Sequence, residues 1–306
     1  MLRIACIGEC MIELSETAAA GTADGRMQRT FGGDTLNTAV YMARSLKQTD
    51  AAVHYVTALG DDPFSTEMLA AWQREGLGTG LVFRLPGRLP GLYIIRTDAA
   101  GERSFHYWRS AAAARELFRA EQAETLAAEL GGFDLVYLSA ITLGILDSES
   151  RQRLFALLES LRHSGCRIAF DSNYRPRLWA SRAEAQEAVN QVLGLTALAL
   201  PTFDDEAALF GDADPEATAA RLHGLGIEEV VVKCGPQPCL VSQAGQQSRV
   251  PAETIARPVD TTAAGDSFNA AYLAARLTGA APEAAAAAGH RLAARVIAVK
   301  GAIVPA

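Results

Sequence analysis

Short β-branched segments alternate with longer amphipathic segments through most of this 306-residue chain, and this alternation restricts the fold more than any other feature. A strand followed by a helix, repeated several times, is typical of a mostly parallel sheet. We therefore expect an α/β protein whose sheet is covered by helices on both faces. The predicted strands are residues 2–7, 53–59, 135–139, 167–170, 197–200 and 229–233. The predicted helices are residues 35–46, 64–75, 148–162, 183–193, 215–222, 267–277 and 282–299.

Two stretches of the chain, about 10–31 and 90–110, interrupt this alternation. The first contains strand-like residues 10–16 and 26–31, separated by a linker rich in Ala, Gly and Thr. The second contains strand-like residues 92–97 and 103–109, which flank a predicted tight turn at 98–102. Since no helix separates the strands of either pair, we expect antiparallel pairing. These strands predict a small sheet that projects from one large domain spanning residues 1–306.

The composition indicates an ordinary globular chain, with 49% apolar and 21% charged residues. Its net charge of −7 argues against nucleic-acid or anionic-membrane binding, so an anionic ligand needs locally placed Arg and Lys side chains. Residues 1–8 resemble a first strand and not a signal peptide, and no apolar span reaches membrane length. The five cysteines lack metal-ligand spacing, which favours reduced, mostly buried thiols. We therefore expect a cytoplasmic protein.

The segment Asp260-Thr-Thr-Ala-Ala-Gly-Asp-Ser-Phe268 stands directly before a predicted Ala-rich helix. Small residues at a helix N-terminus leave backbone N–H groups accessible, and the helix dipole adds to their attraction for a phosphate. Asp266 follows at a position where a carboxylate can accept a proton from an attacking hydroxyl. The same segment is also compatible with an acidic helix cap in a turn.

A glycine pair opens an earlier helix in the segment Phe31-Gly-Gly-Asp-Thr-Leu-Asn-Thr-Ala39. Gly32 and Gly33 allow the main chain to approach a ligand closely, while Asp34 and Asn37 can form hydrogen bonds with hydroxyl groups. A plain loop-to-helix transition, capped by Asp34 or Thr35 and with Asn37 facing solvent, is the alternative interpretation.

The two segments, in this order and at this distance, resemble the signatures of the PfkB family of ribokinase-like carbohydrate kinases. The resemblance covers essentially the whole chain and continues through residues 8–14, 89–93, 107–109 and 171–176. It implies a ribokinase-like three-layer α/β/α sandwich, with the small sheet as a lid over the sugar that often also forms a dimer surface. ATP and Mg²⁺ are the implied cofactors, and a homo-oligomer is the implied assembly. The blocks are most similar to members that phosphorylate keto sugar acids, which implies transfer from ATP to the C6 hydroxyl of 2-keto-3-deoxy-D-gluconate.

The resemblance also assigns roles to individual residues. Asp266 is the implied general base, and the backbone of Ala263, Ala264, Gly265 and Asp266 is the implied anion hole. The implied substrate-binding residues are Gly33, Asp34, Asn37, Tyr93, Tyr107, Arg109, Arg175 and Asp266. The implied nucleotide-binding residues are Asn173, Arg175, Thr202, Lys233, Gly235, Ala263 and Gly265. Asp205 is the implied metal residue, acting through water.

Arginines distinguish between the substrate classes, because a carboxylate is well matched by a guanidinium whereas a neutral sugar needs none. Arg109 and Arg175 are the arginines that the resemblance places near the ligands, although each could instead form a surface ion pair. A kinase of a neutral sugar, such as a fructokinase, and a non-catalytic regulator that binds a sugar acid are the alternatives.

The chain departs from the family pattern at two points. Ala263 stands where relatives usually have glycine, and because its methyl group disfavours a positive φ, we expect a slightly different turn there. Thr202-Phe-Asp-Asp205 replaces the Asn-x-x-Glu that many relatives carry. A Walker-type phosphate loop is absent from the sequence.

Overall fold

The computed structural model describes residues 1–16, 25–97, 103–255 and 257–305. Its strands, in chain order, are β1 (Leu2–Ile7), β2 (Met11–Glu16), β3 (Met27–Gly32), β4 (Ala51–Gly60), β5 (Val82–Leu85), β6 (Gly91–Thr97), β7 (Arg103–Trp108), β8 (Leu135–Ser139), β9 (Arg167–Asp171), β10 (Leu198–Ala199), β11 (Glu229–Val232), β12 (Cys239–Gln243) and β13 (Gln246–Val250). Its α-helices are α1 (Asp34–Leu46), α2 (Pro63–Arg74), α3 (Ala120–Glu129), α4 (Ala140–Ile145), α5 (Ser148–His163), α6 (Arg182–Leu193), α7 (Phe203–Phe210), α8 (Pro215–Gly224), α9 (Ala264–Leu277) and α10 (Pro282–Ile297). Short 3₁₀ helices lie at Ala113–Glu116 and Pro176–Leu178.

A nine-stranded sheet forms the centre of the protein, in the order β13-β12-β11-β10-β9-β8-β1-β4-β5. The pairs from β11 to β5 are parallel, and β12 and β13 extend the sheet as an antiparallel hairpin. All six predicted strands belong to this sheet, although β10 keeps only two residues. The hairpin was not predicted, because its turn consists of Ala244 and Gly245, with φ angles of 52° and 76°. Two positive φ angles are usually indicated by Asn-Gly or Asp-Gly, and alanine gives no such signal.

Helices cover both faces of the sheet, as the alternation of strands and helices predicts. Successive β1 side chains point to opposite faces, so that Ala5 and Ile7 pack in one core and Ile4 and Cys6 in another. The first core also contains residues of α3 to α8, and the second contains residues of α1, α2, α9 and α10. The predicted three-layer arrangement is therefore confirmed. Three unpredicted helices, α3, α4 and α7, are short, at 10, 6 and 8 residues, which gives a weak periodic signal.

The second, smaller sheet has the order β3-β2-β6-β7 and contains the two predicted antiparallel pairs. Its two halves join through parallel pairing of β2 with β6. The predicted turn at 98–102, and most of the linker between β2 and β3, lie outside the described residues. Only three residues separate β1 from β2, so the small sheet continues directly from the end of β1, where ligands of parallel α/β sheets usually bind.

Four of the five cysteines are buried, Cys234 is partly buried, and all five are free thiols. Among the described residues, no helix has both the length and the apolar character required to cross a lipid bilayer.

Candidate active site

The N-terminus of α9 forms one wall of a polar site at the carboxyl ends of the parallel strands. Ala263 caps this helix with φ 60° and ψ 16°, so it adopts the left-handed conformation that glycine would take, and the different turn expected from its methyl group is not seen. An alanine in this conformation costs about 1–2 kcal/mol. Within the described residues, the N–H groups of Gly265 and Asp266 donate to no backbone carbonyl. Free amides at a helix N-terminus can bind an anion.

Asp266 lies in the first turn of α9, and its Oδ2 accepts a hydrogen bond of 2.8 Å from Nδ2 of Asn37. Burial raises the pKa of the Asp266 carboxyl to about 7, and the negative charge of Asp34 contributes to this rise. The hydrogen bond from Asn37 and the positive charge of Lys233 act in the opposite direction. A carboxyl group with this pKa is well suited to accept a proton near neutral pH.

Asn37 lies on α1 and is only 4% exposed, so the alternative interpretation of a solvent-facing residue is wrong. Its Nδ2 donates to Asp266, whereas its buried Oδ1 accepts no hydrogen bond from the described residues. An unpaired buried acceptor costs about 1–3 kcal/mol. A ligand hydroxyl group placed between α1 and α9 can satisfy this oxygen.

Lys233 brings a positive charge to the same site. It follows β11, is 7% exposed, and donates from Nζ to Oδ2 of Asp171 at 2.7 Å. The same carboxylate oxygen accepts from Nδ2 of Asn269, which lies one turn beyond Asp266 on α9. The Nζ atom is 3.5 Å from the point that a Cβ on Gly265 would occupy, so the ammonium group lies beside the free amides.

Asp34 and Asn173 lie together although the resemblance assigned them to different ligands. Asn173 Nδ2 donates to Asp34 Oδ2 at 3.0 Å, and the Ser139 hydroxyl donates to the same oxygen. Asn173 has a positive φ of 28°, and its N–H donates to Asp171 Oδ1. Burial raises the pKa of Asp34, so the site concentrates carboxyl groups in a dehydrated region.

The glycine pair is required by the packing of the protein itself. A Cβ on Gly32 would lie 2.5 Å from the Tyr93 hydroxyl, and a Cβ on Gly33 would collide with the carbonyl oxygen of Glu9. Gly33 therefore lets the start of α1 lie close to the segment that joins β1 and β2, and Gly32 leaves room for the Tyr93 hydroxyl of β6. Close approach of a sugar to the same main chain stays a prediction.

The two tyrosines of the small sheet differ in exposure. Tyr93 is 6% exposed, and its hydroxyl already donates to the Glu13 carboxylate. Tyr107 is 47% exposed, and its ring lies 5.6 Å from the Tyr93 ring. Tyr107 is consequently the tyrosine whose hydroxyl is available to a ligand.

Three arginines act electrostatically on Tyr107. Burial raises the pKa of the Tyr107 hydroxyl, and Arg109, Arg175 and Arg177 oppose the rise. The Arg109 guanidinium lies 5.9 Å from the Tyr107 ring centre and forms an ion pair with buried Glu9. Arg175 is half exposed, and its Nη1 lies 3.4 Å from Asp205 Oδ1. Arg109 reaches this region from the small sheet and Arg175 from the main body.

The remaining predicted nucleotide residues lie along the same edge. Thr202 forms a parallel bridge with Lys233, and Gly235 follows with a positive φ of 58°. Asp205 is in the first turn of α7, and burial raises the pKa of its carboxyl to about 6, against the opposing charge of Arg175. All of the predicted site residues thus lie at or beside this edge of the sheet, except Tyr93, whose hydroxyl faces Glu13.

The pfkB family carbohydrate kinase model matches residues 1–306 of the chain. The chain belongs to the PfkB family of carbohydrate kinases. This kinase is 51% identical over 309 residues to 2-dehydro-3-deoxygluconokinase of Escherichia coli K12, which covers 99% of this chain and 97% of that protein. It is 50% identical to 2-dehydro-3-deoxygluconokinase of Dickeya dadantii, with 99% and 96% covered. Its fold matches a putative ribokinase II of E. coli, solved in complex with ATP and Mg²⁺, with a TM-score of 0.86, 21% identity, and 99% and 94% of the chains covered.

The arrangement of carboxylates in the kinase fits a Mg²⁺ ion that is held mainly by nucleotide phosphates and water. Among the described residues, no group of three or more His, Cys, Asp or Glu side chains could hold a metal ion. Mg²⁺ usually keeps several waters and takes only one or two carboxylates besides the phosphates. Asp205, which lies 3.4 Å from Arg175 and is 20% exposed, is an accessible carboxylate of this kind, and its role toward Mg²⁺ stays a prediction.

Four polar residues of the site were not predicted: Glu9, Ser139, Asp171 and Asn269. Two of them, Glu9 and Asp171, belong to the segments on which the family resemblance rests, and Ser139 and Asp171 end strands of the parallel sheet. The rule that ligands collect at the carboxyl ends of such strands could have identified these two. Asn269 is three residues after Asp266, so helical spacing places both on one face of α9.

Proposed function

We propose that this kinase transfers the γ-phosphoryl group of ATP to the C6 hydroxyl of 2-keto-3-deoxy-D-gluconate, which gives 2-keto-3-deoxy-6-phosphogluconate. The observation that carries the proposal is the 51% identity, over 99% of the chain, to the 2-dehydro-3-deoxygluconokinase of E. coli, since 2-dehydro-3-deoxygluconate is the same sugar acid. The polar site at the N-terminus of α9 supplies the groups that such a reaction requires.

Asp266 is the proposed general base. Its carboxylate takes the proton of the C6 hydroxyl while that oxygen forms its bond to the γ-phosphorus and the bond from phosphorus to the departing ADP oxygen breaks. A pKa of about 7 leaves much of the carboxyl ionised in the cell and keeps it basic enough to accept the proton. The hydrogen bond from Asn37 fixes the direction of the carboxylate.

The free amides of Gly265 and Asp266, together with Lys233, are the proposed binding groups for the phosphate charge. The geometry of the site supports this assignment, because the Lys233 ammonium group lies beside Gly265 at the positive end of the α9 dipole. Ala263 and Ala264 belong to the same proposed anion hole, and Asn173, Thr202 and Gly235 are proposed to contact the nucleotide. Mg²⁺ bound with the nucleotide would neutralise part of the phosphate charge, and Asp205 is proposed to hold it through water.

The sugar acid is proposed to bind between the small sheet and the main body. Arg109 and Arg175 approach this space from its two sides and are matched to the substrate carboxylate. Asn37 Oδ1, which has no donor among the described residues, is matched to a substrate hydroxyl, and Gly33, Asp34, Tyr93 and Tyr107 are the other proposed contacts.

We propose that the small sheet closes over the sugar and that its edges join subunits in a homo-oligomer. The two outer strands, β3 and β7, carry the exposed apolar side chains of Met27 and Trp108. Exposed edge strands with apolar side chains are prone to pair with another chain. The cytoplasmic location stays a prediction from the sequence.

A measurement of ADP release with 2-keto-3-deoxygluconate, 3-deoxy-D-fructose and D-fructose tests the proposed function. In 3-deoxy-D-fructose a hydroxymethyl group replaces the carboxylate and the rest of the molecule is unchanged. We expect the sugar acid to give the highest kcat/KM by at least 100-fold. Preference for a neutral sugar would support the fructokinase alternative, and binding of the acid without ADP release would support the regulator.

A further inference from the structure

Glu9 is a buried carboxylate that no part of the proposed chemistry uses. Its side chain is 1% exposed, and burial raises its pKa against the opposing charge of Arg109. The segment that carries it joins β1 of the main sheet to β2 of the small sheet. Gly33 packs against its carbonyl oxygen, and a Cβ on Gly91 would come within 2.8 Å of its Oε1. Gly33 and Gly91 therefore lie directly against Glu9, whose side chain is buried at the junction of the two sheets.

The Glu9 carboxylate faces Arg109, which directly follows the last strand of the small sheet. The Glu9 Oε2 atom accepts a hydrogen bond from Arg109 Nη2. Within the described residues, Glu9 Oε1 and Arg109 Nε have no hydrogen-bond partner although both are buried. The pair is thus joined through Nη2 only; Nε is buried, so Nη1 is the nitrogen left to face a ligand, on a side chain that is 12% exposed.

A second buried pair in the same protein shows the contrast. Glu229 is fully buried and accepts from both Nε and Nη2 of Arg276 at 2.8 and 2.7 Å, with further donors from Tyr272 and Gln243. This two-nitrogen geometry gives the stronger and better satisfied ion pair. The Glu9–Arg109 pair leaves polar atoms unsatisfied, which is unfavourable for stability alone and suits a guanidinium that must also bind a ligand.

We propose that Glu9 is a positioning residue that holds Arg109 at the junction of the two sheets, so that the unpaired part of the guanidinium faces the carboxylate of an acidic sugar. The inference rests on the proposed function, and it adds a specificity determinant to it. The charges of Arg109 and Arg175 both act on Tyr107, so a guanidinium held by Glu9 borders the same space as Arg175, from the side of the small sheet. Without its partner, Arg109 loses its fixed direction while the nucleotide site is unchanged.

The test compares Glu9→Gln with the matched control Glu229→Gln, since each removes the charge of a buried carboxylate paired with arginine. We expect Glu9→Gln to raise the KM for 2-keto-3-deoxygluconate at least 10-fold, with less than 3-fold changes in kcat, in the KM for ATP and in kcat/KM for 3-deoxy-D-fructose. Glu229→Gln should lower the melting temperature and leave all these constants within 2-fold. A purely structural role for Glu9 would lower kcat through loss of active protein and leave the KM for the acid unchanged.

Arg109→Met supplies a second measurement that separates position from charge. In this background Glu9→Gln should change the KM for the acid less than 2-fold, because the guanidinium that Glu9 holds is gone. If Glu9→Gln fails to fold, Arg109→Lys keeps an ion pair with Glu9 but lacks the spare nitrogens, and it should also raise the KM for the acid at least 10-fold. Additive effects of Glu9→Gln and Arg109→Met, tighter binding of the acid by Glu9→Gln, or a wild-type KM in Arg109→Lys would overturn the inference.

The wild-type protein separates this inference from the proposed function. If it does not prefer the acid over 3-deoxy-D-fructose, the proposed function fails. If it prefers the acid and Glu9→Gln retains the full preference, only the role of Glu9 fails.

Discussion

Asp266→Asn should remove catalysis and, at the same time, stabilise the folded protein at pH 8. The folded-state pKa of about 7 lies above the ordinary value of 3.8, so the folded protein keeps a proton that the unfolded chain has lost. Protonation of this carboxyl therefore favours the folded state. That contribution to the free energy of unfolding is fully present below about pH 4 and is lost as the pH rises through 7. Asparagine stays uncharged at every pH and keeps an oxygen that can accept from Asn37.

The size of the effect follows from the two pKa values. Their difference corresponds to about 4 kcal/mol at pH 8. The electrostatic repulsion that raises the Asp266 pKa is shared with Asp34 and Asp171, and part of the Asp266 side chain is accessible to solvent. We therefore expect about half of this amount, about 2 kcal/mol. For a chain of 306 residues, this free energy corresponds to a rise of about 3 °C in the melting temperature. At pH 5 about a third of the gain should remain, or about 1 °C.

Thermal melts at pH 5 and pH 8 measure the gain, and ADP release measures the loss of turnover, which we expect to be about 10²–10⁴-fold. Asp147→Asn is the matched control with the opposite sign. Asp147 caps α5, and hydrogen bonds from Ser150 hold the pKa of its carboxyl below the ordinary value. This control should not raise the melting temperature at pH 8 and should keep full activity.

A melting temperature for Asp266→Asn that equals the wild-type value at pH 8, or a gain of the same size at pH 5 and pH 8, would refute the argument that the buried carboxylate is destabilising. Near-normal turnover of the same variant would remove Asp266 from the proposed mechanism.

Three further predictions follow from the site. For the wild-type enzyme, kcat/KM should rise with pH and level off above a pKa near 7, because Asp266 accepts a proton only when ionised; a pH profile that is flat from 5.5 to 8.5 would contradict this. Arg175→Ala should raise the KM for the sugar acid at least 10-fold and the KM for ATP much less. The exposed control Arg249→Ala should change neither KM. Equal effects of Arg175→Ala on both substrates would count against a carboxylate contact. Ala263→Gly should raise the free energy of unfolding by about 1 kcal/mol in chemical denaturation, because glycine adopts the left-handed conformation without the clash of a methyl group; a loss of stability would show that Ala263 is not strained.

Local pattern was sufficient to predict the elements that extend over several turns or lie in the middle of the sheet. Strands β1, β8 and β9 each contain three or four consecutive apolar residues because both of their faces are buried, and this signal is visible in the sequence. Strand β5 has four residues at the edge of the sheet, and β13 is mostly exposed, so neither has that signal. The parallel pairing of β2 with β6 was also not predicted, because it joins residues about 80 positions apart.

The sequence by itself determined the fold class, the small sheet and the two segments that carry Asp266 and Asn37, because helix and strand periodicity and glycine-rich helix starts are local properties. Only the tertiary structure decided which polar atoms are paired. It brings Asn37 to Asp266 across 229 positions of the chain, and Glu9 to Arg109 across 100. The raised pKa of Asp266 and the one-sided pairing of Arg109 both arise from such distant contacts, since burial and electrostatic interactions depend on distance in space and not on separation along the chain.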